Sequence, residues 1–342
     1  MASFNLSDPK QRRDYFEHKV GDEIARLKEY FKSGNTFVAY LLGKKNSGKG
    51  TYSKLFMEIF GEKHVAHISV GDIVRDVHTN FENSARKKEL VSFLQKNYRG
   101  FISIDEALER LMSRDTKTLL PTEFVLALVK YEISKMPKRA LFIDGFPRGI
   151  DQVSYSLYFR ELIGYRDDPD FFVIINVPEA VIDERIKSRV VCPICHTPRG
   201  LKLLRTKEVG YDRKSGEFFL KCDTPECRGA RLVAKEGDEL GIEPIRTRLE
   251  VDAKMMQTAT GLHGIPKIAL NNSVPVKESS QVYASYEITP EFVYSWDGKH
   301  QRVVVEERPW VVKDDHGVPS YSLMPPAVVV SLIQQMVEVL GI

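Results

Sequence analysis

Residues 43–51 read Gly-Lys-Lys-Asn-Ser-Gly-Lys-Gly-Thr, a composition that suits a loop wrapped around phosphate groups. The glycines allow backbone N–H groups to converge on phosphate oxygens, and the N-terminus of a following helix adds partial positive charge. Lys49 is placed to reach the outer phosphates of a nucleotide, and Thr51 to lie near Mg²⁺. This segment therefore predicts a phosphate-binding loop, with a basic surface turn as the alternative.

The flanking pattern is the one that such a loop requires. An apolar run over residues 36–42 predicts a buried strand before the loop, and residues 52–60 predict a helix after it. Further strands are predicted at 65–69, 139–144, 171–177 and 266–271, with a turn at 71–72. Helices are predicted at 8–33, over most of 73–135 including 122–134, and at 179 to about 189, 244–260 and 326–340. Strands that alternate with helices indicate a parallel α/β sheet.

Composition and charge exclude several classes of protein. The chain has 342 residues, with 50 basic and 47 acidic side chains, so its net charge of +3 does not favour nucleic acid or an anionic membrane as partner. Its apolar runs are shorter than the roughly 18 residues that a membrane span needs, and the first residues lack a signal-peptide core. We therefore expect a cytoplasmic protein, monomeric by default.

All four cysteines lie in one short stretch: Cys192, Cys195, Cys222 and Cys227. Two close pairs of thiolates suit tetrahedral Zn²⁺ in a closed structural site. A disulfide framework would be spread more widely, and a redox pair formed by Cys192 and Cys195 is the alternative. Residues 191–243 are thus predicted to form a small module that a metal ion stabilises.

Two more motifs narrow the function. Residues 67–75 read His-Ile-Ser-Val-Gly-Asp-Ile-Val-Arg, and residues 144–148 read Asp-Gly-Phe-Pro-Arg, with Gln152 close behind. Together with the Gly-Lys-Gly-Thr ending of the loop, they resemble the adenylate kinases of the nucleoside monophosphate kinase family. The resemblance covers about residues 36–276 and resumes at the last helix. It implies an α/β, three-layer P-loop kinase fold, in which helices flank a parallel sheet and a zinc-binding lid is inserted. This chain additionally carries a predicted C-terminal β-rich insertion.

The resemblance also implies a reaction and its residues. The reaction is Mg²⁺-dependent phosphoryl transfer from ATP to AMP, which forms two ADP, and the lids of this family close over the donor nucleotide. The residues that match ATP-binding positions are Gly43, Asn46, Ser47, Gly48, Lys49, Gly50, Thr51 and Arg185. Those that match AMP-binding positions are Val70, Arg75, Gly145, Arg148, Gln152 and Arg246. Those that match catalytic positions are Lys49, Asp144, Arg148, Arg185, Arg189 and Arg248.

Chemistry supports these assignments, because phosphoryl transfer needs fixed cations rather than covalent catalysis. Guanidinium groups bind phosphate through two hydrogen bonds, which lysine does not match. Arg185 and Arg189 are four residues apart, so a helix there would place both on one face. Asp144 suits the outer shell of Mg²⁺ through water, with a helix cap as its alternative role.

Some positions leave alternatives open. Val70 stands where adenylate kinases commonly have threonine beside the acceptor base, so another acceptor such as CMP or UMP is the first alternative. Lys235 is the nearest counterpart of an arginine that the lid of this family carries. The second alternative is therefore a catalytically weak nucleotide-binding module. Gln152 is expected to recognise adenine, or else to be an exposed helix residue.

The predicted organisation has four parts. Residues 1–35 form an N-terminal helical extension. Residues 36–190 with 244–276 and 326–342 form the kinase core, within which about 72–140 bind the acceptor nucleotide. Residues 191–243 form the zinc lid, and residues 277–325 form a turn-rich β insertion of unknown role.

Overall fold

A computed structural model describes residues 3–113 and 120–342 of the chain. Residues 114–119, which belong to the predicted acceptor segment 72–140, lie outside the described residues. In chain order, α1 to α11 are Pro9–Lys32, Lys49–Phe60, Val70–Asn80, Ser84–Asn97, Ile104–Met112, Thr122–Ser134, Ile150–Leu162, Glu179–Lys187, Arg246–Gly261, Val276–Val282 and Pro325–Leu340. In the same order, β1 to β15 are Val38–Gly43, Val65–Ser69, Ala140–Asp144, Asp170–Asn176, Arg189–Val191, Pro198–Gly200, Val209–Asp212, Glu217–Leu220, Val233–Ala234, Lys267–Asn271, Ser273–Pro275, Pro290–Asp297, Arg302–Pro309, Val311–Lys313 and Pro319–Ser322.

The chain forms two compact units. The first, called the sheet unit, comprises Phe16–Ile175, Glu250–Leu270 and Val329–Ile342. The second, called the lid unit, comprises Met1–Tyr15, Asn176–Leu249 and Asn271–Val328. The predicted lid and the predicted β insertion therefore belong to the same unit.

A five-stranded sheet organises the sheet unit, with strand order β10-β4-β1-β3-β2. Strand β1 pairs in parallel with β3 and β4, and β2 pairs in parallel with β3. Strand β1 is apolar and buried along most of its length, as expected of a central strand covered on both faces. The predicted α/β class with a parallel central sheet flanked by helices is confirmed.

Aromatic side chains fill the core beside the sheet. Phe37, Phe56 and Phe142 have no exposed surface, and the Phe142 ring lies 5.5 Å from that of Phe37 and 5.2 Å from that of Phe56. Both contacts are edge-to-face, the arrangement that the ring quadrupole favours. This packing fixes α2, the helix that follows the predicted phosphate loop, against β1 and β3.

Two local predictions were wrong, and a third was incomplete. Residues 71–72 are not a turn, because Ser69 Oγ accepts a hydrogen bond from the N–H of Asp72 and caps a helix that begins at Val70. Helix α8 ends at Lys187, and Arg189 instead begins β5, where it pairs with Gly200. Arg185 and Arg189 therefore do not share a helix face. The insertion 277–325, predicted as turn-rich β structure, also contains most of a helix, Val276–Val282.

The lid is built from short antiparallel strands. Strands β6, β5 and β9 form one small sheet, and β7 and β8 form a hairpin. Its hydrophobic core consists of two cysteines and two leucines: Cys192, Leu220, Cys227 and Leu232. So small an apolar core contributes little stability by itself, so this module needs a further source of stability.

The hairpin β12–β13 of the insertion provides such support. The Trp296 ring stacks on that of Tyr211 in β7, with centroids 4.8 Å apart and planes inclined by 19°. The Tyr294 hydroxyl donates to the carbonyl of Leu201 at 2.5 Å, and the N–H of Phe292 donates to the carbonyl of Lys202 at 2.8 Å. Aromatic stacking and backbone hydrogen bonds thus join the insertion to the lid.

None of the helices in the described part of the chain combines the length and the apolar character that crossing a membrane requires.

We expect Trp296→Ala to lower the free energy of unfolding by about 1–2 kcal/mol, because it removes a half-buried aromatic pair. Denaturant unfolding measures this change, and amide hydrogen exchange should accelerate in β7 and β8. Val304→Ala is the matched control, because Val304 lies on the same hairpin with 40% of its surface exposed. Equal stability of the two variants would contradict the supporting role of the hairpin.

Candidate functional site

The segment after β1 has the backbone of a phosphate-binding loop. Asn46 and Gly48 adopt left-handed conformations, with φ of 65° and 100°. A Cβ at Gly43 would lie 2.6 Å from Ser47 Oγ, so only glycine fits at the end of the strand. Helix α2 begins at Lys49 directly after this turn. The loop therefore leads into a helix N-terminus, the arrangement that binds phosphate oxygens.

Lys49 lies within this loop and is largely buried. Its Nζ donates to the carbonyl of Gly43 at 2.8 Å and lies 3.8 Å from Asp144 Oδ1. The two charged side chains are only 15% and 21% exposed. The attraction of the carboxylate offsets part of the cost of burying the ammonium group. Lys49 and Asp144 are thus brought together, as the sequence-based hypothesis requires.

A contact that the sequence analysis missed also holds the loop. Asp252 of α9 is 8% exposed, and its Oδ2 accepts a hydrogen bond from the N–H of Lys45 at 2.9 Å. A buried carboxylate is costly unless it is hydrogen-bonded, so this contact fixes the loop against the helix. The available sequence signal was weak: one aspartate within a polar helical stretch.

The two predicted acceptor-binding arginines of the sheet unit approach each other. A Cβ at Gly71 would lie 3.6 Å from both Arg75 Nη1 and Arg148 Nη2. At Gly145, where φ is 85°, a Cβ would lie 2.9 Å from Arg148 Nη2. Glycine at these positions leaves room around the guanidinium groups. Arg75 also pairs with Asp72 at the surface, and this pairing helps to lower the pKa of Asp72 although burial acts against it. The predicted phosphate grip is therefore geometrically possible.

Gln152 and Val70 occupy defined positions near these arginines along the chain. The Gln152 side chain accepts from the N–H of Arg148 at 2.8 Å and donates to Thr122 Oγ1 at 3.1 Å. It is therefore a half-buried, hydrogen-bonded residue and not the exposed helix glutamine of the alternative interpretation. Val70 is 4% exposed at the start of α3. Recognition of adenine by Gln152 stays a prediction.

His67 adds a second element that the sequence analysis left unassigned. Its Nδ1 lies 2.8 Å from Ser53 Oγ of α2. Burial lowers the pKa of His67, although the nearby carboxylates of Asp144 and Asp72 oppose that shift. This shift favours the neutral form of the imidazole.

The arginines at the base of the lid belong to the lid unit. Arg189 forms a two-pronged ion pair with Asp238, with its Nε and Nη2 at 2.6 and 2.5 Å from the carboxylate oxygens. Asp238 is 7% exposed, so the pair is well shielded. Arg185 donates from Nη2 to Asn272 Oδ1 at 3.1 Å. Both guanidinium groups are held by partners that the sequence analysis did not name.

The remaining predicted arginines lie at the start of α9. Arg246 is exposed and pairs with Glu243, with Nε 3.1 Å from Oε2. Arg248 is half-buried in the first turn of the same helix. Lys235, which the sequence analysis compared with a lid arginine, is exposed directly after β9.

The four cysteines come together in the lid. Their sulfur atoms all lie within 4.8 Å of one another, and those of Cys195 and Cys222 are 3.6 Å apart. Thiolates that surround Zn²⁺ tetrahedrally at about 2.3 Å would have sulfur atoms about 3.8 Å apart. The predicted clustering is therefore observed, and the donor set fits a zinc site.

The sulfur atoms differ in their surroundings. Hydrogen bonding from Thr197 lowers the pKa of Cys195 to about 5. Burial raises the pKa of Cys227 to about 12, with further contributions from the neighbouring cysteines. Since metals bind the thiolate, a bound cation would replace the protons that the metal-free cluster retains.

The chain is similar to curated adenylate kinases. That of Thermotoga petrophila is 31% identical over 217 residues, which are 63% of this chain and 80% of the relative. The Bacillus subtilis adenylate kinase is 28% identical over 221 residues, 64% of this chain and 81% of the relative. The Clostridium acetobutylicum adenylate kinase is 33% identical over 171 residues, 50% of this chain and 67% of the relative. No protein-family model matches the chain.

Proposed function

Because the chain belongs to the adenylate kinase family of nucleoside monophosphate kinases, we propose that it transfers the terminal phosphoryl group of Mg²⁺·ATP to AMP. The observation that carries this proposal is the pairing of Lys49 with Asp144 at the end of the phosphate loop, 3.8 Å apart. The loop presents cationic and N–H groups, and the carboxylate is positioned to hold a hydrated cation. A bound nucleoside triphosphate with Mg²⁺ requires both the loop groups and the carboxylate.

We assign donor binding to the loop. ATP phosphates would accept hydrogen bonds from the N–H groups of residues 43–51, and Lys49 would exchange its carbonyl contacts for phosphate oxygens. Thr51 lies in the first turn of the helix that begins at Lys49, where its hydroxyl can contribute to the Mg²⁺ site. Asp144 would hold a water ligand of that Mg²⁺.

We assign the acceptor phosphate to Arg75 and Arg148, whose guanidinium groups approach Gly71 together. Their forked hydrogen bonds would orient one oxygen of the AMP phosphate toward the terminal phosphorus of ATP. A bond then forms between that oxygen and phosphorus, and the bond to the bridging oxygen of ATP breaks. Two ADP molecules result, and no protein atom is covalently changed.

Arg185, Arg189 and Arg248 would supply the fixed positive charge that the transition state needs. The transferring group spreads negative charge over its oxygens, and preorganised cations stabilise it most effectively where water is excluded. Arg189 is preorganised by Asp238 and Arg185 by Asn272. Arg246, which is exposed and paired with Glu243, is assigned to the acceptor side on the resemblance alone.

We further propose that Cys192, Cys195, Cys222 and Cys227 hold a structural Zn²⁺. The close approach of their sulfur atoms supports this role, and a closed four-thiolate site has no free position for substrate. The ion would stabilise the lid fold. The balanced charge of the chain, 50 basic and 47 acidic residues, supports small nucleotides rather than nucleic acid as partners. A monomer in the cytoplasm remains our expectation.

A second acceptor is favoured by one observation. Val70, buried at the start of α3, offers no hydroxyl where adenylate kinases commonly have threonine. An apolar side chain cannot donate to a base, so this position is compatible with CMP or UMP as acceptor.

Phosphoryl transfer from Mg²⁺·ATP to AMP, CMP, UMP, GMP and dTMP tests the proposal. We expect AMP to give the highest kcat/KM, because Gln152, Arg75 and Arg148 match the AMP-binding positions of the family. Coupled detection of the nucleoside diphosphate product measures each acceptor. Preference for a pyrimidine monophosphate would replace AMP as substrate, and no turnover with any acceptor would overturn the proposed reaction.

We expect Lys49→Met to lower kcat by at least about 100-fold, because it removes a fixed cation from the transferring phosphates. The measurement is steady-state turnover, with thermal unfolding to confirm that the fold is retained. Lys54→Met is the matched control, since Lys54 is exposed on the same helix. Turnover of Lys49→Met at the level of Lys54→Met would refute the assignment of the loop.

Removal of the metal ion should destabilise the lid. We expect about one zinc per chain by elemental analysis, and a melting temperature lower by about 5 °C or more after chelation or in Cys192→Ser. Ile194→Ala is the control, because Ile194 is 58% exposed between the first two cysteines. Zinc-free protein that melts at the same temperature as zinc-loaded protein would contradict the structural role.

A further inference from the structure

The segment 277–325 contacts a predicted catalytic arginine through one buried residue. Asn272 has no exposed surface, and its Oδ1 accepts hydrogen bonds from Arg185 Nη2 at 3.1 Å and from Ser322 Oγ at 2.9 Å. Ser322, also fully buried, is the last residue of the inserted strand β15. The insertion and the arginine thus share one side-chain amide.

Hydrogen bonds to Asn176 and Leu323 also fix Asn272. Its backbone N–H donates to the carbonyl of Asn176 at 2.9 Å, and its carbonyl accepts from the N–H of Leu323 at 2.7 Å. Its Nδ2 donates to the carbonyl of Leu323 at 3.1 Å, which fixes the orientation of the amide. The oxygen must therefore face Arg185 and Ser322. A side chain with so many partners has one conformation, as an orienting group requires.

The insertion also holds the other end of the helix that carries Arg185. Helix α8 begins at Glu179 after Pro178, which supplies no capping side chain. Asp315, between β14 and β15, takes that place and accepts from the N–H of Glu179 at 2.7 Å. A carboxylate at a helix N-terminus also interacts favourably with the helix dipole. Two independent contacts from one segment therefore position α8 and its arginine.

We propose that Asn272 is a positioning residue for Arg185, and that the insertion 277–325 fixes the orientation of this arginine through Ser322 and Asp315. This proposal rests on the proposed function, because Arg185 is assigned to ATP there. A guanidinium on a flexible side chain loses entropy when it binds phosphate, and prior fixation reduces that loss. The insertion is thus part of the catalytic apparatus, although it need not touch the nucleotide.

The test compares Asn272→Leu with Asn272→Asp. Leucine keeps the approximate size but removes both the acceptor for Arg185 and the donor to Leu323, so we expect KM for ATP to rise about tenfold, with KM for the acceptor nucleotide unchanged. Aspartate keeps an oxygen for Arg185 but loses the donor to Leu323. We expect it to retain a KM for ATP near that of the unmodified protein even if its melting temperature falls. A merely structural role of Asn272 would give the opposite order.

A double-mutant cycle shows whether Asn272 acts through Arg185. We expect Asn272→Leu to have little further effect on KM for ATP once Arg185→Ala is present, because the residue that it orients is gone. Ser322→Ala should raise KM for ATP in the same direction as Asn272→Leu. Ser320→Ala is the matched control: Ser320 is buried in the same strand, but it bonds to Asp314 and Val318 instead.

The outcomes separate this proposal from the proposed function. If the unmodified protein turns over and Lys49→Met does not, the reaction stands. Additive effects of Asn272→Leu and Arg185→Ala, or a rise in KM for ATP in Ser320→Ala equal to that in Ser322→Ala, would then overturn the positioning role alone. If the unmodified protein turns over no acceptor, equilibrium dialysis with Mg²⁺·ATP replaces KM by Kd. Absence of ATP binding would overturn both proposals.

Discussion

Strands β1, β3 and β2 run in parallel and in register, with Leu41 opposite Asp144 and Asp144 opposite Ser69. Parallel strands end at the same edge of a sheet, so the loop after β1, the carboxylate that ends β3 and the helix cap that ends β2 meet there. The short distance between Lys49 and Asp144 follows from this register. A shift of one residue in either pairing would turn Asp144 toward the other face.

The lid, unlike the sheet unit, has very little apolar core. Two cysteines and two leucines make up its buried cluster. Four converging sulfur atoms offer one solution, since a bound metal ion would replace apolar burial with coordinate bonds. The aromatic hairpin offers another, through the stack of Trp296 on Tyr211. The insertion thus adds contacts to the part of the chain that is least able to fold alone.

Buried polar side chains of the lid unit orient its arginines. Asp238 and Asn272 are both buried, and each bonds to one arginine. Burying such groups is costly unless their hydrogen bonds are satisfied, so each contact specifies one geometry. The fixed orientation of guanidinium groups is what electrostatic stabilisation of phosphoryl transfer requires. Stability and the proposed chemistry therefore make use of the same buried side chains.

The sequence by itself determined the local chemistry and most of the elements. The phosphate loop, the parallel sheet and helix Thr122–Ser134 could be predicted, because glycine placement and apolar periodicity are local properties. The end of α8 before Arg189 could not, because the pairing of Arg189 with Gly200 decides it. The same holds for Asp252, Asn272 and Asp238. In the sequence each is an ordinary polar residue. Only the fold brings its partner (Lys45, Arg185 or Arg189), which is distant in the sequence, within hydrogen-bonding distance.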